Sequence, residues 1–248
     1  MTTRLLAFAL LALLQSPHAL AASSLADDVL LSAARDGNLA LFRSMMKAGA
    51  NPAAVDASGN NALVLAAFSG RDDMLREAID LHLDPDARGE LGQTALGLAV
   101  IQNAPRALEQ LLSAGASPNV PAAGGATPLA SALRLGRMDM AKRLLAAGAD
   151  PDIADADGVT ALHIAAEAGS VPLVEALLRA GANPNVLDRE QRSALFVALL
   201  ARHEEVAATI VRRRATDLSL VTQGYTPLFW ARQLGMPEIA KSIELRLR

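Results

Sequence analysis

The sequence predicts an all-α solenoid built from about seven helix-turn-helix units. The first observation is a period of 33 residues that repeats a side chain able to cap a helix N-terminus, with a leucine two residues later each time. The capping positions are Asn61, Thr94, Thr127, Thr160, Ser193 and Thr226, and the leucines are Leu63, Leu96, Leu129, Leu162, Leu195 and Leu228. The second observation is the composition, because 52% hydrophobic but only 3% aromatic residues are typical of a helical Ala/Leu core. Since repeats pack only on their neighbours, we expect the chain to form one array.

The stretch Asp157–Gly169 shows how a unit is built. Thr160 can cap a first helix, an Ala-Ala pair makes one flank of that helix small, and the final glycine ends it. A second apolar helix follows over residues 171–180, and the sequence Gly-Ala-Asn-Pro stops it. The glycine between the helices recurs in register as Gly37, Gly70, Gly136, Gly169 and Gly235, with Asn103 and Arg202 in the two remaining slots.

The helix starts Thr-Pro-Leu and Thr-Ala-Leu, the Ala-Ala pair and the Gly-Ala-Asn-Pro close together resemble the ankyrin repeat family. The resemblance covers roughly residues 25 to 246 and implies an ankyrin-repeat solenoid whose helix pairs are joined by β-hairpin-like finger loops. The predicted domain spans residues 22–248, with units starting near residues 25, 57, 90, 123, 156, 189 and 222. The first and last units are expected to act as caps, because each must cover one open side of the stack.

The sixth unit departs from the pattern at three glycine positions. Gln191 replaces the glycine of the finger, Arg202 the glycine between the helices, and Arg214 the glycine of the closing loop. Since Gln191 lacks the backbone freedom of glycine, we expect this finger to be shaped differently. In the second unit His82 replaces the glycine after the second helix and is expected to weaken that helix end slightly.

Residues 1–21 have the pattern of a signal peptide and lie outside the repeats. Arg4 is followed by an uninterrupted apolar run from Leu5 to Leu14, by Pro17, and by the small-residue cleavage site Ala19-Leu20-Ala21. An extra capping helix is the alternative, and a membrane span would need about 20 apolar residues. Export without cysteine favours a bacterial periplasm, with a secreted eukaryotic protein as the alternative. We therefore expect a periplasmic or secreted protein, cleaved near Ala21, with no membrane segment in the mature form.

The sequence offers no recognisable catalytic, cofactor or metal site. The net charge of −3 argues against a nucleic-acid binder, and the lack of cysteine excludes thiolate chemistry. The histidines are far apart, and His163 occupies the ankyrin Thr-x-Leu-His slot, where the ring serves hydrogen bonding and packing. A calcium loop over residues 153–164 would need ligands at Ile153 and Ile164, whose side chains cannot supply them, so we interpret this acidic run as a solvated finger loop. We predict a protein that is not an enzyme, with no cofactor and no metal, and we place Trp230 in the core.

The resemblance implies that function lies in partner binding, because ankyrin-family proteins hold protein partners in a concave groove. Their contacts come from the finger tips and from the exposed side of each first helix. In the 33-residue register, the finger candidates are Ser58, Asn60, Glu90, Leu91, Gln93, Gly124, Ala126, Asp157, Val159, Arg189, Glu190, Arg192, Gln223 and Tyr225. The helix candidates are Phe68, Ile101, Gln102, Arg134, Glu167 and Gln233. Several are apolar or aromatic where solvent alone would favour charge, and Tyr and Arg are enriched at interface hot spots.

The main prediction is a non-catalytic module that binds a protein partner of unknown identity outside the cytoplasm. The alternative is an inhibitor or immunity protein that blocks a secreted or periplasmic enzyme. The cluster Arg212–Arg214 has two interpretations: the cations complement a helix C-terminus, or they contact an acidic partner. We expect no nucleic-acid partner, and a monomer because the ends of the array are capped.

Overall fold

The computed structural model describes the backbone of residues 19–248 and the side chains of residues 25–248. The predicted signal peptide therefore lies almost entirely outside the described residues. The described part contains fourteen α-helices, two short 3-10 turns and isolated β-bridges, but no strand. The helices are α1 (Ala19–Arg35), α2 (Leu39–Lys47), α3 (Ala62–Ser69), α4 (Asp72–Ile79), α5 (Ala95–Ile101), α6 (Pro105–Ser113), α7 (Pro128–Arg134), α8 (Met138–Ala146), α9 (Ala161–Glu167), α10 (Val171–Arg179), α11 (Ala194–Leu200), α12 (Glu204–Val211), α13 (Pro227–Gln233) and α14 (Pro237–Leu247).

The chain divides into two compact units, each built from several of the 33-residue repeats. The first compact unit ends at Ala123 and contains three helix pairs, α1–α2, α3–α4 and α5–α6. The first helices of the pairs pack side by side, so α3 contacts both α1 and α5. Helix α3 is accordingly buried from Ala62 to Ala67. The second helices bury only one face, which in α4 consists of Met74, Leu75 and Ala78. The predicted helix-turn-helix pairing is confirmed in this unit.

The second unit begins at Gly124 and contains four pairs, α7–α8, α9–α10, α11–α12 and α13–α14. Its first helices pack in one row in chain order, and its second helices pack in another. Leu162 is fully buried between them, with no exposed surface. Each pair therefore covers the next, as expected for repeats that cannot bury their apolar faces alone.

The predicted capping side chains close the helix N-termini. Asn61 Oδ1 accepts a hydrogen bond from Val64 N at 2.9 Å, and Thr94 Oγ1 accepts one from Gly97 N at 3.1 Å. The slots between the helices adopt left-handed backbone even without glycine, with φ of 56° at Asn103. The 33-residue register therefore selects a backbone conformation, and glycine is its least strained occupant.

An aspartate in register turns three of the fingers. The carboxylates of Asp56, Asp155 and Asp188 accept hydrogen bonds from the backbone N–H groups two and four residues later, at 2.9–3.0 Å. In the sixth repeat, Gln191 adopts a φ of 59°. Its N–H donates a hydrogen bond to Asp188 O at 2.9 Å, as the glycine N–H does in the regular fingers. The expectation of a differently shaped sixth finger is therefore wrong, because the aspartate holds the turn while glutamine accepts left-handed backbone.

Arg246 closes the end of α12, where the sixth repeat has Arg214 in place of the usual glycine. Its guanidinium donates to the carbonyl oxygens of Val211, of Arg213 at 2.7 Å, of Arg214 at 3.2 Å and of Thr216 at 3.3 Å. Carbonyls at a helix C-terminus have no partner within the helix, so a cation placed there both pairs them and complements the dipole. The predicted basic cluster Arg212–Arg214 thus contributes backbone carbonyl oxygens that accept hydrogen bonds, and the charge that caps the helix comes from Arg246.

Trp230 lies in an aromatic cluster that is only half-buried. Its ring meets Phe196 edge-on with centroids 5.4 Å apart, and Tyr225 stacks on Phe229 at 4.0 Å. The indole Nε1 donates to Thr222 O at 3.1 Å. Placing Trp230 in the core was too strong, because packing covers only part of the ring and Tyr225 beside it is 48% exposed.

Candidate functional site

A groove of about 550 Å³ opens in the first unit between the fingers and the ends of the first helices. Its lining consists of Arg35, Ser58, Asn60, Val64, Leu65, Phe68, Glu90, Leu91, Gln93, Leu98 and Ile101. It brings together seven candidates predicted from sequence, Ser58, Asn60, Phe68, Glu90, Leu91, Gln93 and Ile101. We call this surface the finger groove.

Three large apolar side chains are exposed in the finger groove. Phe68 is 57% exposed, Ile101 40% and Leu91 74%. Phe68 and Ile101 share a slot near the ends of α3 and α5, so stacking of those helices places them side by side. Gln102, the next residue along, donates from Nε2 to Phe68 O at 3.0 Å. The predicted candidate Gln102 thus ties the two helix ends together, and it is itself exposed next to the apolar surface.

Asn60 supports the finger groove from inside. It is only 6% exposed, its Nδ2 donates to both carboxylate oxygens of Asp56, and its Oδ1 accepts from Glu90 N at 2.8 Å. Gly89 leaves the space that this side chain needs, since a Cβ there would lie 2.0 Å from Asn60 Oδ1. We therefore correct the sequence-based assignment of Asn60: buried and fully bonded, it joins two fingers and offers no surface to a partner.

The charges that line the finger groove are unevenly compensated. Arg35 pairs with Asp56 at 2.5 Å. Burial, the largest influence on the pKa of Asp56, raises it, but hydrogen bonds from Asn60 and Ser58 and the charge of Arg35 outweigh burial and hold that pKa below its usual range. Glu90 is exposed and makes no ion pair with any described side chain. The groove therefore carries one uncompensated negative charge beside its apolar surface.

The corresponding candidates of the second unit form ion pairs with their neighbours. Arg134 pairs with Asp155, and Arg192 pairs with Asp188 at 2.7 Å and with Glu190 at 3.1 Å. Asp157 Oδ1 lies 4.0 Å from Arg189 Nη1. The second unit's remaining candidates are the half-buried Ala126 and Val159 and the exposed Gly124, Glu167, Gln223, Tyr225 and Gln233. Among the predicted candidates, those of the first unit thus form an apolar surface, and those of the second are mostly charged or polar with one exposed tyrosine.

Sequence reasoning missed two members of the first-helix slot. Arg35 and Leu200 lie in the same register as Phe68, one 33-residue repeat before it and four repeats after it. Arg35 lines the finger groove, and Leu200 is 51% exposed. Extending the 33-residue step one repeat upstream of Phe68 would have found Arg35, and applying the step without a gap between Glu167 and Gln233 would have found Leu200.

His163 has the geometry of a structural histidine. Its Nδ1 accepts from Thr160 N at 3.3 Å and lies 2.8 Å from Thr160 Oγ1, and its Nε2 lies 3.0 Å from Arg192 O. The carbonyl can only accept, so the proton belongs on Nε2. Burial lowers the pKa of His163, which keeps the ring neutral. The predicted packing role is confirmed.

The described residues contain no group of three or more His, Cys, Asp or Glu side chains placed to hold a metal ion. The acidic run around Asp155 is a hydrogen-bonded finger in which that carboxylate is already engaged by Arg134. Among the helices that the structure describes, none is long and apolar enough to cross a bilayer.

The comparisons with known proteins agree with this architecture. A family model described as "Ankyrin repeats (3 copies)" matches residues 30–122, 103–188 and 129–221. Comparison with curated proteins found no match.

Two solved structures show the likeness at the level of the fold. A chain in the structure of the Bd0816 predatory endopeptidase from Bdellovibrio bacteriovorus in complex with immunity protein Bd3460 is 27% identical, with a TM-score of 0.64, over 75% of this chain and 98% of that one. The ankyrin repeat domain of Bcl-3, a member of the IkappaB protein family, is also 27% identical, with a TM-score of 0.74, over 87% of this chain and 97% of that one. With family matches running from residue 30 to residue 221 and helix pairs in the same register, the chain belongs to the ankyrin repeat family.

Proposed function

We propose that this protein is a non-catalytic module that binds a protein partner outside the cytoplasm through the finger groove. The observation that carries the proposal is the exposure of Phe68, Leu91 and Ile101 together in one concavity. Water disfavours such exposure, and contiguous exposed apolar surface on a soluble protein marks an interaction site. Membership of a family of generally non-catalytic binding modules supports the same function.

A pull-down from extracellular or periplasmic extract tests this function. The immobilised chain should retain one stoichiometric protein partner, and Phe68→Glu should release it because a charge then occupies the apolar groove. Leu245→Glu is the matched control, since Leu245 is a 61% exposed apolar residue on α14. Retention of the partner by Phe68→Glu, or its loss in Leu245→Glu, contradicts the proposal.

We also propose that residues 1–21 direct export and that the mature chain begins near Ala22 as a monomeric array of about seven units. The support is the order of charged, apolar and small residues in this segment. N-terminal sequencing of the protein recovered from the periplasm or the medium tests it. An intact Met1 on cytoplasmic protein contradicts it.

Inhibition of a secreted or periplasmic peptidase is the second candidate. The similarity to a chain from an endopeptidase–immunity protein complex favours it, since the coverage there is nearly the whole of that chain. The test is to add the purified chain to a peptidase encoded beside its gene and follow substrate cleavage. Stoichiometric inhibition supports this candidate, and undiminished cleavage at excess chain removes it.

A further inference from the structure

Leu91 occupies a backbone conformation that does not suit leucine. Its φ is 54° and its ψ 25°, in the left-handed region where a side chain with a Cβ is strained. The register places Gly124 and Gln223 in the equivalent slot of other fingers, and both also have positive φ. The turn therefore forms without leucine and forms with less strain when glycine is present.

The side chain of Leu91 also does nothing for the folded core. It is 74% exposed, the highest value among the exposed large apolar residues of the described chain. Because Leu91 is exposed, it gains no burial energy that would offset the strain, and strained residues of this kind cluster at binding sites. The function of Leu91 is therefore to be sought in the finger groove that it lines.

The charge beside Leu91 indicates what the groove accepts. Arg35, the cation in the lining, is neutralised by Asp56, whereas Glu90 is exposed and makes no ion pair among the described side chains. A bound segment that brought a carboxylate next to Glu90 would be repelled by it. A segment carrying lysine or arginine would gain an ion pair at the rim of an apolar contact.

We propose that the finger groove recognises a peptide segment that presents apolar side chains next to a basic residue. Leu91, Phe68 and Ile101 clamp the apolar side chains, Glu90 pairs with the cation, and Leu91 is held in a strained turn for this contact. The proposal rests on the proposed protein-binding function and adds the chemistry of the partner's segment.

The probe is a phage-displayed library of random peptides, panned against the immobilised chain. Enriched peptides should carry leucine, isoleucine, methionine or phenylalanine next to lysine or arginine, and Phe68→Glu should abolish their binding. Binding of the synthetic peptide should weaken roughly threefold to tenfold in Glu90→Gln, which should also reduce the salt dependence. The absence of enriched peptides, enrichment of acidic or purely polar peptides, or indifference to Phe68→Glu overturns the proposal.

Leu91→Gly separates a binding role from a structural one. It should weaken peptide binding about tenfold or more, as loss of an apolar hot spot does, while the melting temperature stays level or rises because the strain is relieved. Gln223→Gly is the matched control: it relieves the same left-handed conformation in another finger and should leave peptide binding unchanged. Unchanged peptide binding in Leu91→Gly, or a lowered melting temperature, contradicts the role given to Leu91.

Failure of this inference is distinguishable from failure of the proposed function. A natural partner that is released by Phe68→Glu but is unaffected by Glu90→Gln and Leu91→Gly leaves the finger groove as the binding surface and refutes only the partner chemistry proposed here. If the wild-type chain retains no partner at all, the binding function itself fails.

Discussion

Replacing Asp155 with alanine should destabilise the protein by about 2–3 kcal/mol. Its carboxylate accepts from Asp157 N and from Val159 N, both at 2.9 Å, and pairs with Arg134, while the side chain is only 6% exposed. Each backbone hydrogen bond in a finger is worth about 1 kcal/mol after competition with water, and a partly exposed ion pair adds up to about 1 kcal/mol. The fifth finger should therefore lose most of its internal order.

Urea titration followed by circular dichroism measures the change as a shift in the unfolding midpoint. Asp155→Asn keeps an acceptor oxygen but loses the ion pair, so it should cost about 1 kcal/mol. Asp157→Ala is the matched control, because its side chain is 82% exposed and the change should stay within about 0.5 kcal/mol. A loss below about 0.5 kcal/mol for Asp155→Ala, or an equal loss in the control, would refute the role assigned to the buried carboxylate.

Four further predictions concern stability and use the same titration. Arg246→Ala should lower the free energy of unfolding by about 1–2 kcal/mol, because carbonyl groups after α12 lose their hydrogen-bond donor. Arg246→Lys should recover only part of this loss. An unchanged unfolding midpoint in Arg246→Ala would show that water replaces the guanidinium. Gly89→Ala should cost about 1–2 kcal/mol by displacing Asn60 from its hydrogen bonds, and a neutral result would mean that the side chain moves freely. Leu162→Ala should cost about 2–5 kcal/mol, and a loss in the range of a surface change would place it outside the core. Acid should destabilise the chain through Asp56, because folding lowers the pKa of this carboxyl group. Asp56 contributes its full share to the free energy of unfolding above its pKa in the unfolded chain, about 3.9. That share disappears as the pH falls through the lower pKa of the folded state. A midpoint that stays constant down to about pH 3 would contradict this.

The repeat pattern predicted the helix pairs because it reports local chemistry. A capping side chain such as Thr94 needs only its own helix start, and a buried leucine such as Leu162 needs only the neighbouring pair. Glycine slots were located correctly even when occupied by Asn103, because the register marks the backbone conformation whatever residue occupies it.

The candidate site was predicted only in part, since the register identifies which positions face a partner but not which are already bonded. Asn60 is polar and lies in a finger, yet its bonds to Asp56 and Glu90 depend on the approach of a second finger. The strain at Leu91 was likewise invisible, because leucine itself gives no sign of left-handed backbone. By contrast, the recurring aspartates of the fingers could have been found, since they follow the 33-residue period.

The unequal surfaces of the two units could also have been anticipated from residue types. The first-helix slot holds Phe68 and Ile101 in the first unit, whereas three of its four occupants in the second unit, Arg134 among them, are polar and the fourth is Leu200. What the sequence does not show is that Arg134 is already paired with Asp155, and this pairing lowers its value as a contact for an acidic partner.

Hydrogen–deuterium exchange on the chain with and without its captured partner tests the central claim most directly. The finger groove account predicts slower exchange at residues 56–61 and 88–94 and at the ends of α3 and α5, with α4 and α6 unchanged. Slowing confined to α4 and α6, or to the second unit, would contradict the claim that the finger groove holds the partner.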